Sequence, residues 1–357
     1  MLTSSRSSDM EHLRGRLVFV AGGSTGLGKA IAISLAARGA DVTVFARRQE
    51  VLDEARVEID KATIFRDQEI RTVSLDLSDA SQCERVFEAQ PRLPDDLFCV
   101  AGGCVPELGF FADVPATALD SCMRKNYFTS AYPAHALLRL WTRDDRRRNA
   151  PSSSSSPPAA AQGQEPKPKP KLRRLAFVSS AAALANVPGY IAYTPAKCAQ
   201  RALADTLRQE AAIYSNAASR YTIHCAFPAT VLTDTFFEEQ KNKPAVTKRM
   251  ESTDGAEEEL RAKYPSAHDV AEAIVRATAD RPGGGDFCVC TDFITSVLWS
   301  GMTGPSPKRG WGILDSLLGF ISVLFVWPIL RLSWDSTCAE AGRSRDKEEG
   351  SSGNSRV

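Results

Sequence analysis

The stretch Leu17-Val18-Phe19-Val20-Ala21-Gly22-Gly23-Ser24-Thr25-Gly26-Leu27-Gly28 decides how this chain folds. Leu17–Val20 is an apolar run of β type, and a helical pattern, Lys29–Arg38, follows the glycines at once. A strand, a glycine turn and a helix in that order form the context in which such a cluster binds a dinucleotide. Glycine tolerates positive φ and lets the backbone approach a pyrophosphate. The helix amino end adds free N–H groups and a favourable dipole. The spacing here is G-x-x-x-G-x-G, which differs from G-x-G-x-x-G but works by the same mechanics. Gly22, Ser24, Thr25, Gly26, Leu27 and Gly28 are therefore the first cofactor-contact candidates.

Working outward, Asp41–Phe45 reads as a second strand that runs into Arg47-Arg48. An NAD site commonly has an acid here for the ribose 2′-hydroxyl. Two guanidinium groups suit a 2′-phosphate instead, so the expected cofactor is NADPH. A third strand-like run, Arg71–Leu75, leads into Asp76-Leu77, placed to meet the adenine. A fourth ends at Cys99-Val100-Ala101-Gly102, where Ala101 and Gly102 leave room for the cofactor. Strands alternating with helices predict a Rossmann-type, doubly wound parallel α/β sheet, expected as one catalytic domain over residues 14–292.

Tyr193-Thr194-Pro195-Ala196-Lys197 carries the chemistry. Residues four apart share a helix face, so the phenol and the ammonium point the same way. Pro195 is tolerable in a first turn. A free tyrosine titrates near pKa ~10, and a neighbouring ammonium is expected to lower that value. Lys197 is also placed to hold a cofactor ribose. Ser180 follows the apolar run Leu175–Ser179, at the carboxyl end of a strand, where open α/β sheets bind ligands. Its hydroxyl is expected to hydrogen-bond the substrate oxygen. Tyr-x-x-x-Lys alone is a weak signal. Its place after Ser180, downstream of a dinucleotide turn, gives it weight.

With these residues in hand, the chain resembles the short-chain dehydrogenase/reductase superfamily over about residues 14–292. The resemblance implies a catalytic set of Asn126, Ser180, Tyr193 and Lys197. Asn126, read at the start of a helical stretch, would hold a water in the proton relay. Pro228-Ala229 and Thr233 match the segment beside the nicotinamide amide. Ala21, Cys99-Val100 and Ala229 depart from the family pattern, with a modest expected effect on stability. A narrower set, Thr233–Gln240 with Lys243-Pro244, Thr247 and Thr253-Asp254, is similar to 3-ketodihydrosphingosine reductases, fungal ones especially. Asn126-Tyr127 with Tyr132-Pro133-Ala134 fits the same group. That similarity implies NADPH-dependent reduction of a long-chain 2-amino-3-ketone lipid. It further implies an endoplasmic reticulum membrane location with the catalytic domain facing the cytosol. A homodimer through the region Asn126–Trp141 is the family expectation. The competing readings are a membrane-associated reductase of another lipid, steroid or retinoid ketone, and an inactive NADPH-binding scaffold.

The remainder of the 357 residues is organised around this domain. Residues 1–13 are polar and expected to be disordered, with no secretory signal. Residues 144–174, rich in Ser, Pro, Ala and Lys, are expected to form a disordered insertion. The segment after Asp234 is expected to be irregular, covering the strand ends before a helix near His268–Ala279. Nine cysteines without metal-ligand spacing read as core residues in a reducing compartment. No metal is expected. Phe293–Met302 and Ile313–Leu332 are apolar, so residues 293–334 are expected to attach to a membrane. Asp315, Pro328 and Arg331 weaken a clean span. Residues 335–357 are expected to be a disordered tail. A net charge of +1 gives no case for nucleic-acid binding.

Overall fold

A computed structural model describes residues 13–150, 169–281, 285–302, 307–330 and 332–340. Seven parallel strands form one sheet in the order β3-β2-β1-β4-β5-β6-β7. They are β1 (Leu17–Ala21), β2 (Asp41–Ala46), β3 (Ile70–Ser74), β4 (Asp96–Cys99), β5 (Lys171–Val178), β6 (Ser219–Phe227) and β7 (Cys288–Cys290). Strands buried on both faces read as unbroken apolar runs rather than alternating ones, and every residue of β1 is buried.

Helices cover both faces. On one side α1 (Gly26–Ala36), α2 (Gln49–Asp60) and α10 (Ala267–Thr278) bury Ile31, Leu35, Leu52, Ile59, Val270 and Ile274. On the other, α3 (Ala80–Glu88), α5 (Thr129–Asn149) and α6 (Tyr193–Tyr214) bury Phe87, Leu137, Trp141 and Ala204. Chain order reverses between β1 and β4, and ligands of such sheets bind in the crevice at that point.

Four sequence expectations need correction. Asn126 does not start a helix. It sits in a π-turn, Arg124–Phe128, that joins α4 (Ala116–Met123) to α5. Residues 144–149 and 171–174 are ordered parts of α5 and β5. The cause is electrostatic: the fully buried Arg173 pairs with Asp144 and with Asp145, whose Oδ1 is 3.0 Å away. Asp145 also accepts from Ser219 and Tyr221. Residues 151–168 of the expected insertion lie outside the described residues, as do 1–12, whereas Leu13 is buried in the core. The stretch after Asp234 is three short helices, α7 (Asp234–Asn242), α8 (Ala245–Glu251) and α9 (Glu257–Lys263). Finally, residues 335–340 are helical, not tail. A helix opens at Ile313 as α12 (Ile313–Ile321) and continues through a π-turn to Glu340, 28 residues in all. Residues 341–357 lie outside the described residues.

The carboxyl-terminal helices pack as a pair. α11 (Phe293–Met302) is anchored by Trp299, which is fully buried with its ring 5.1 Å from that of Phe227. A Cβ at Gly319 would lie 2.7 Å from the Ser300 carbonyl oxygen, so glycine permits the close crossing. Asp315 is buried and bonded to Arg309 at 2.6 Å and to Ser300 at 3.2 Å, which satisfies its charge inside the crossing. The opposite side exposes Trp311, Leu314, Leu317, Phe320, Phe325 and Ile329. By length and composition this helix is long and apolar enough to cross a membrane.

Candidate active site

β5 ends at Val178 and delivers Ser180 in extended geometry. Tyr193 opens α6, with Ser180 near enough to act on its phenol. One turn on, Lys197 is buried; its Nζ donates to the Val178 carbonyl at 3.0 Å and to Gln200 Oε1 at 3.2 Å. Gln200 is held in turn by Ser130, 2.7 Å away. The π-turn aims Asn126 inward, consistent with the frequent use of such turns at functional sites. Asn126 Nδ2 donates to the carbonyls of Gly103 and Cys122 at 2.8 and 2.9 Å, and Oδ1 accepts from Gly103 N–H at 2.9 Å. A Cβ at Gly102 would lie 2.6 Å from Asn126 Oδ1 and 3.3 Å from Lys197 Nζ. Only glycine lets the β4 turn pass between these two groups.

The electrostatics differ from the sequence expectation. Burial pushes the Tyr193 phenol well above its ordinary pKa of 10, helped by Cys104 and Glu239, while Ser180 pulls the other way. Burial also pushes Lys197 down to about 8. The ammonium is 5.7 Å from the centre of the Tyr193 ring, and loss of solvent is the largest influence on the phenol. A phenol held protonated is suited to donate, which is the direction of ketone reduction.

The glycine turn lies at the crevice. Gly22 has φ +92°, and a Cβ there would be 2.4 Å from the Ala101 nitrogen, so the turn packs directly on the end of β4. Gly26, at φ +51°, lies against Thr233, to whose methyl an added Cβ would come within 3.4 Å. Thr25, the residue before α1, makes no side-chain cap, and the first turn carries no acid. The amino-terminal N–H groups are thus free of local competitors, as a pyrophosphate requires. Ser24 and Leu27 are part of the same turn, half-buried; Gly28 is buried beneath it. Arg47 and Arg48 are exposed where β2 ends, with the Arg47 carbonyl fixed by Ser74 at 2.9 Å. Asp76 spends one carboxylate oxygen on the N–H and hydroxyl of Ser78, and Leu77 is buried. The Pro228 carbonyl accepts from Ala181 N–H at 2.9 Å, which ties that segment to the Ser180 loop. Thr233 caps α7 through Phe236 N–H at 3.0 Å. A separate cavity of about 470 Å³ lies at the amino ends of the strands beside Arg14, Asp41 and Arg92, away from this chemistry.

Residues 16–149 match a model of the short chain dehydrogenase family. The chain is 35% identical over 335 residues to the 3-ketodihydrosphingosine reductase ksrA of Aspergillus fumigatus, spanning 89% of this chain and 82% of that protein. The chain belongs to the short-chain dehydrogenase/reductase family. It is also 30% identical to the 3-ketodihydrosphingosine reductase gsl-3 of Neurospora crassa, over 93% of this chain and 84% of that protein. A 3-dehydrosphinganine reductase of Danio rerio shares 33% identity over 68% of this chain and 64% of that protein. Among solved structures, levodione reductase superposes with a TM-score of 0.60 at 18% identity, covering 79% of this chain and 97% of its own. As a member of this family the protein is an NAD(P)-dependent oxidoreductase.

Sequence reasoning named Glu239, Lys243 and Thr247 only as points of similarity and missed Cys104, Tyr190 and Glu251, with which they form a polar wall near Tyr193. Tyr190 packs its ring 5.7 Å from that of Tyr193 and donates to Glu251 at 3.0 Å. Lys243, also buried, meets the same Glu251 oxygen at 2.9 Å. Thr247 clamps α8 to this loop by donating to the Pro188 carbonyl at 2.6 Å. Burial raises the Glu239 pKa, while Cys104 and Lys243 pull it the other way. The available signals were positional: Cys104 directly follows Gly102-Gly103, and Tyr190 stands three residues before Tyr193.

Proposed function

We propose that the protein reduces the 3-keto group of 3-ketodihydrosphingosine to dihydrosphingosine, with NADPH as the hydride donor. The observation that carries this reading is Tyr193 at the start of α6, beside the Ser180 loop and with its ring centre 5.7 Å from the Lys197 ammonium, in a chain whose relatives bear that activity in their names. When bound, NADPH supplies hydride to C3. The chain's own residues do the rest. Ser180 and Tyr193 take the ketone oxygen, and Tyr193 passes its proton to that oxygen as it becomes an alkoxide. Lys197 carries positive charge beneath the phenol and offers a donor to a ribose hydroxyl. Asn126, fixed to the backbone of Gly103 and Cys122, orients a water that returns a proton toward Lys197 and Tyr193. Gly22 to Gly28 cradle the pyrophosphate. Arg47 and Arg48, exposed at the end of β2 where an NAD site commonly has an acid, favour a 2′-phosphate, which supports NADPH over NADH.

The same proposal places the protein on the endoplasmic reticulum membrane, its catalytic domain in the cytosol. Its support is the apolar helix from Ile313, with its exposed Leu, Phe and Trp side chains. A substrate this apolar would pass from bilayer to pocket without crossing water. The test is NADPH consumption by membranes containing the protein, with 3-ketodihydrosphingosine as substrate and NADH as the control. Loss of turnover in Tyr193→Phe supports the assignment; undiminished turnover rejects it.

A further inference from the structure

A water-soluble surface exposes aspartate and buries leucine. The long carboxyl-terminal helix, Ile313–Glu340, does the reverse. Asp315 and Ser322 are buried on the side that meets α11, while Leu314, Leu317, Phe320, Leu324, Ile329 and Leu332 are exposed. Residues 316–330 carry no charge. An exposed apolar face of this length marks a membrane or a partner. A protein partner sets its register through polar contacts around an apolar centre. This face offers none over 15 residues, and hydrocarbon requires none.

A bilayer can take up such a helix across its core or along one surface. The helix has 28 residues, about 42 Å, so a crossing would carry its ends to opposite sides of a core roughly 30 Å thick. Its contacts select the other arrangement. At its start, Asp315 bonds to Arg309 at 2.6 Å and to Ser300 of α11 at 3.2 Å, and α11 is pinned to the sheet by Trp299 on Phe227. Midway, Trp327 packs on the hydrophobic core and against Gly301, where an added Cβ would lie 2.7 Å from its Nε1. At the far end, Arg249 of α8 donates to Glu340 at 2.9 Å and to the Thr337 carbonyl at 3.4 Å. An exposed pair such as Arg249–Glu340 is weak alone, but the buried anchors at Asp315 and Trp327 already direct the helix along the domain. Start, middle and end thus rest on one body.

We infer that Ile313–Glu340 lies in the surface of a single leaflet, its apolar face among the acyl chains and both its ends on the side of the catalytic domain, an arrangement that rests on the membrane attachment proposed above. Helices that lie in this way sink their apolar face about 5–10 Å into the headgroup and acyl boundary. Arg249 stands two residues before Glu251, which accepts from Tyr190, whose ring lies beside that of Tyr193. The helix end is therefore fastened to the helix that walls the active site. Docking brings that wall to the leaflet that holds the lipid ketone.

The experiment uses the full-length protein in sealed microsomes and a membrane-impermeant maleimide. Cys338, in the last turn, is the exposed native cysteine; the other eight are buried or half-buried. Three reporters are built in a Cys338→Ser background: Lys308→Cys before the helix, Phe320→Cys on its apolar face, and the exposed Arg56→Cys on α2 as the mark of the catalytic side. Cys338 and Lys308→Cys should label together with Arg56→Cys, to the same extent and from the same side. Phe320→Cys should be shielded in intact membranes. Labelling of Cys338 and Arg56→Cys from opposite sides would establish a span and overturn the inference, leaving the membrane location and the activity in place. Free labelling of Phe320→Cys in intact membranes would also overturn it, because that face would then meet water. Protein left in the supernatant when the membranes sediment would sink the membrane location and the inference together, with turnover of 3-ketodihydrosphingosine read separately.

Discussion

The two ends of one sheet bury charge in opposite ways. At the amino end, each buried charge meets its opposite. Asp96 is fully buried and takes Arg16 at 2.9 and 3.0 Å and Arg174 at 2.7 Å. Arg174 also donates to the carbonyls of Thr278 and Ala279 at 2.8 and 2.7 Å. Asp95 pairs with Lys171 at 2.9 Å and accepts from Leu17 N–H at the same distance. At the carboxyl end, Lys243 still pairs with Glu251 at 2.9 Å, but Lys197, nearest the chemistry, meets only a carbonyl and an amide oxygen. Burial of Lys197 is left without an ion pair among the described residues, so it shifts the pKa instead. The amino end uses its charges to hold strands in place; the carboxyl end keeps its charges available for chemistry.

Substitutions at the two ends should therefore fail differently. Tyr193→Phe removes the donated proton and should cut turnover by about 10²- to 10⁴-fold, as expected for loss of a general acid. Its melting temperature should stay near that of wild type, checked by calorimetry on the same preparation. Asp96→Ala strands two arginines and should cost about 3–5 kcal/mol of stability, read from the denaturant midpoint. Dependence on pH sharpens the contrast. Lys197 loses its charge as pH rises through about 8, so kcat/KM should fall across that value, and Lys197→Arg should remove the titration from the profile. The smallest effect belongs to the exposed Arg47 and Arg48. Replacing both with alanine should lower the preference for NADPH over NADH by about tenfold, since each loses a charged phosphate contact at a solvated site.

The features legible in the sequence were those whose chemistry demands particular residue types at fixed spacing. The glycines between β1 and α1, the alternation of strands and helices, and the four-residue step from Tyr193 to Lys197 are all of that kind. Features that depend on tertiary packing were not legible. The π-turn at Asn126 is one extra residue in a helix turn, which leaves no mark on the hydrophobic period. The order of residues 144–149 depends on Asp145 finding Arg173, 28 residues away across a low-complexity stretch. The burial that raises the Tyr193 pKa depends on how distant segments pack around the ring, which spacing does not encode.

The account turns on a phenol that burial keeps protonated, so that it can give its proton to a ketone oxygen. The most direct measurement is a tyrosinate difference titration of the cofactor-free protein, wild type minus Tyr193→Phe, which isolates one of seven tyrosines. The account predicts that no tyrosinate from Tyr193 develops until the pH has passed 10. A Tyr193 phenol that ionises near neutral pH would contradict it, because Lys197 would then outweigh burial.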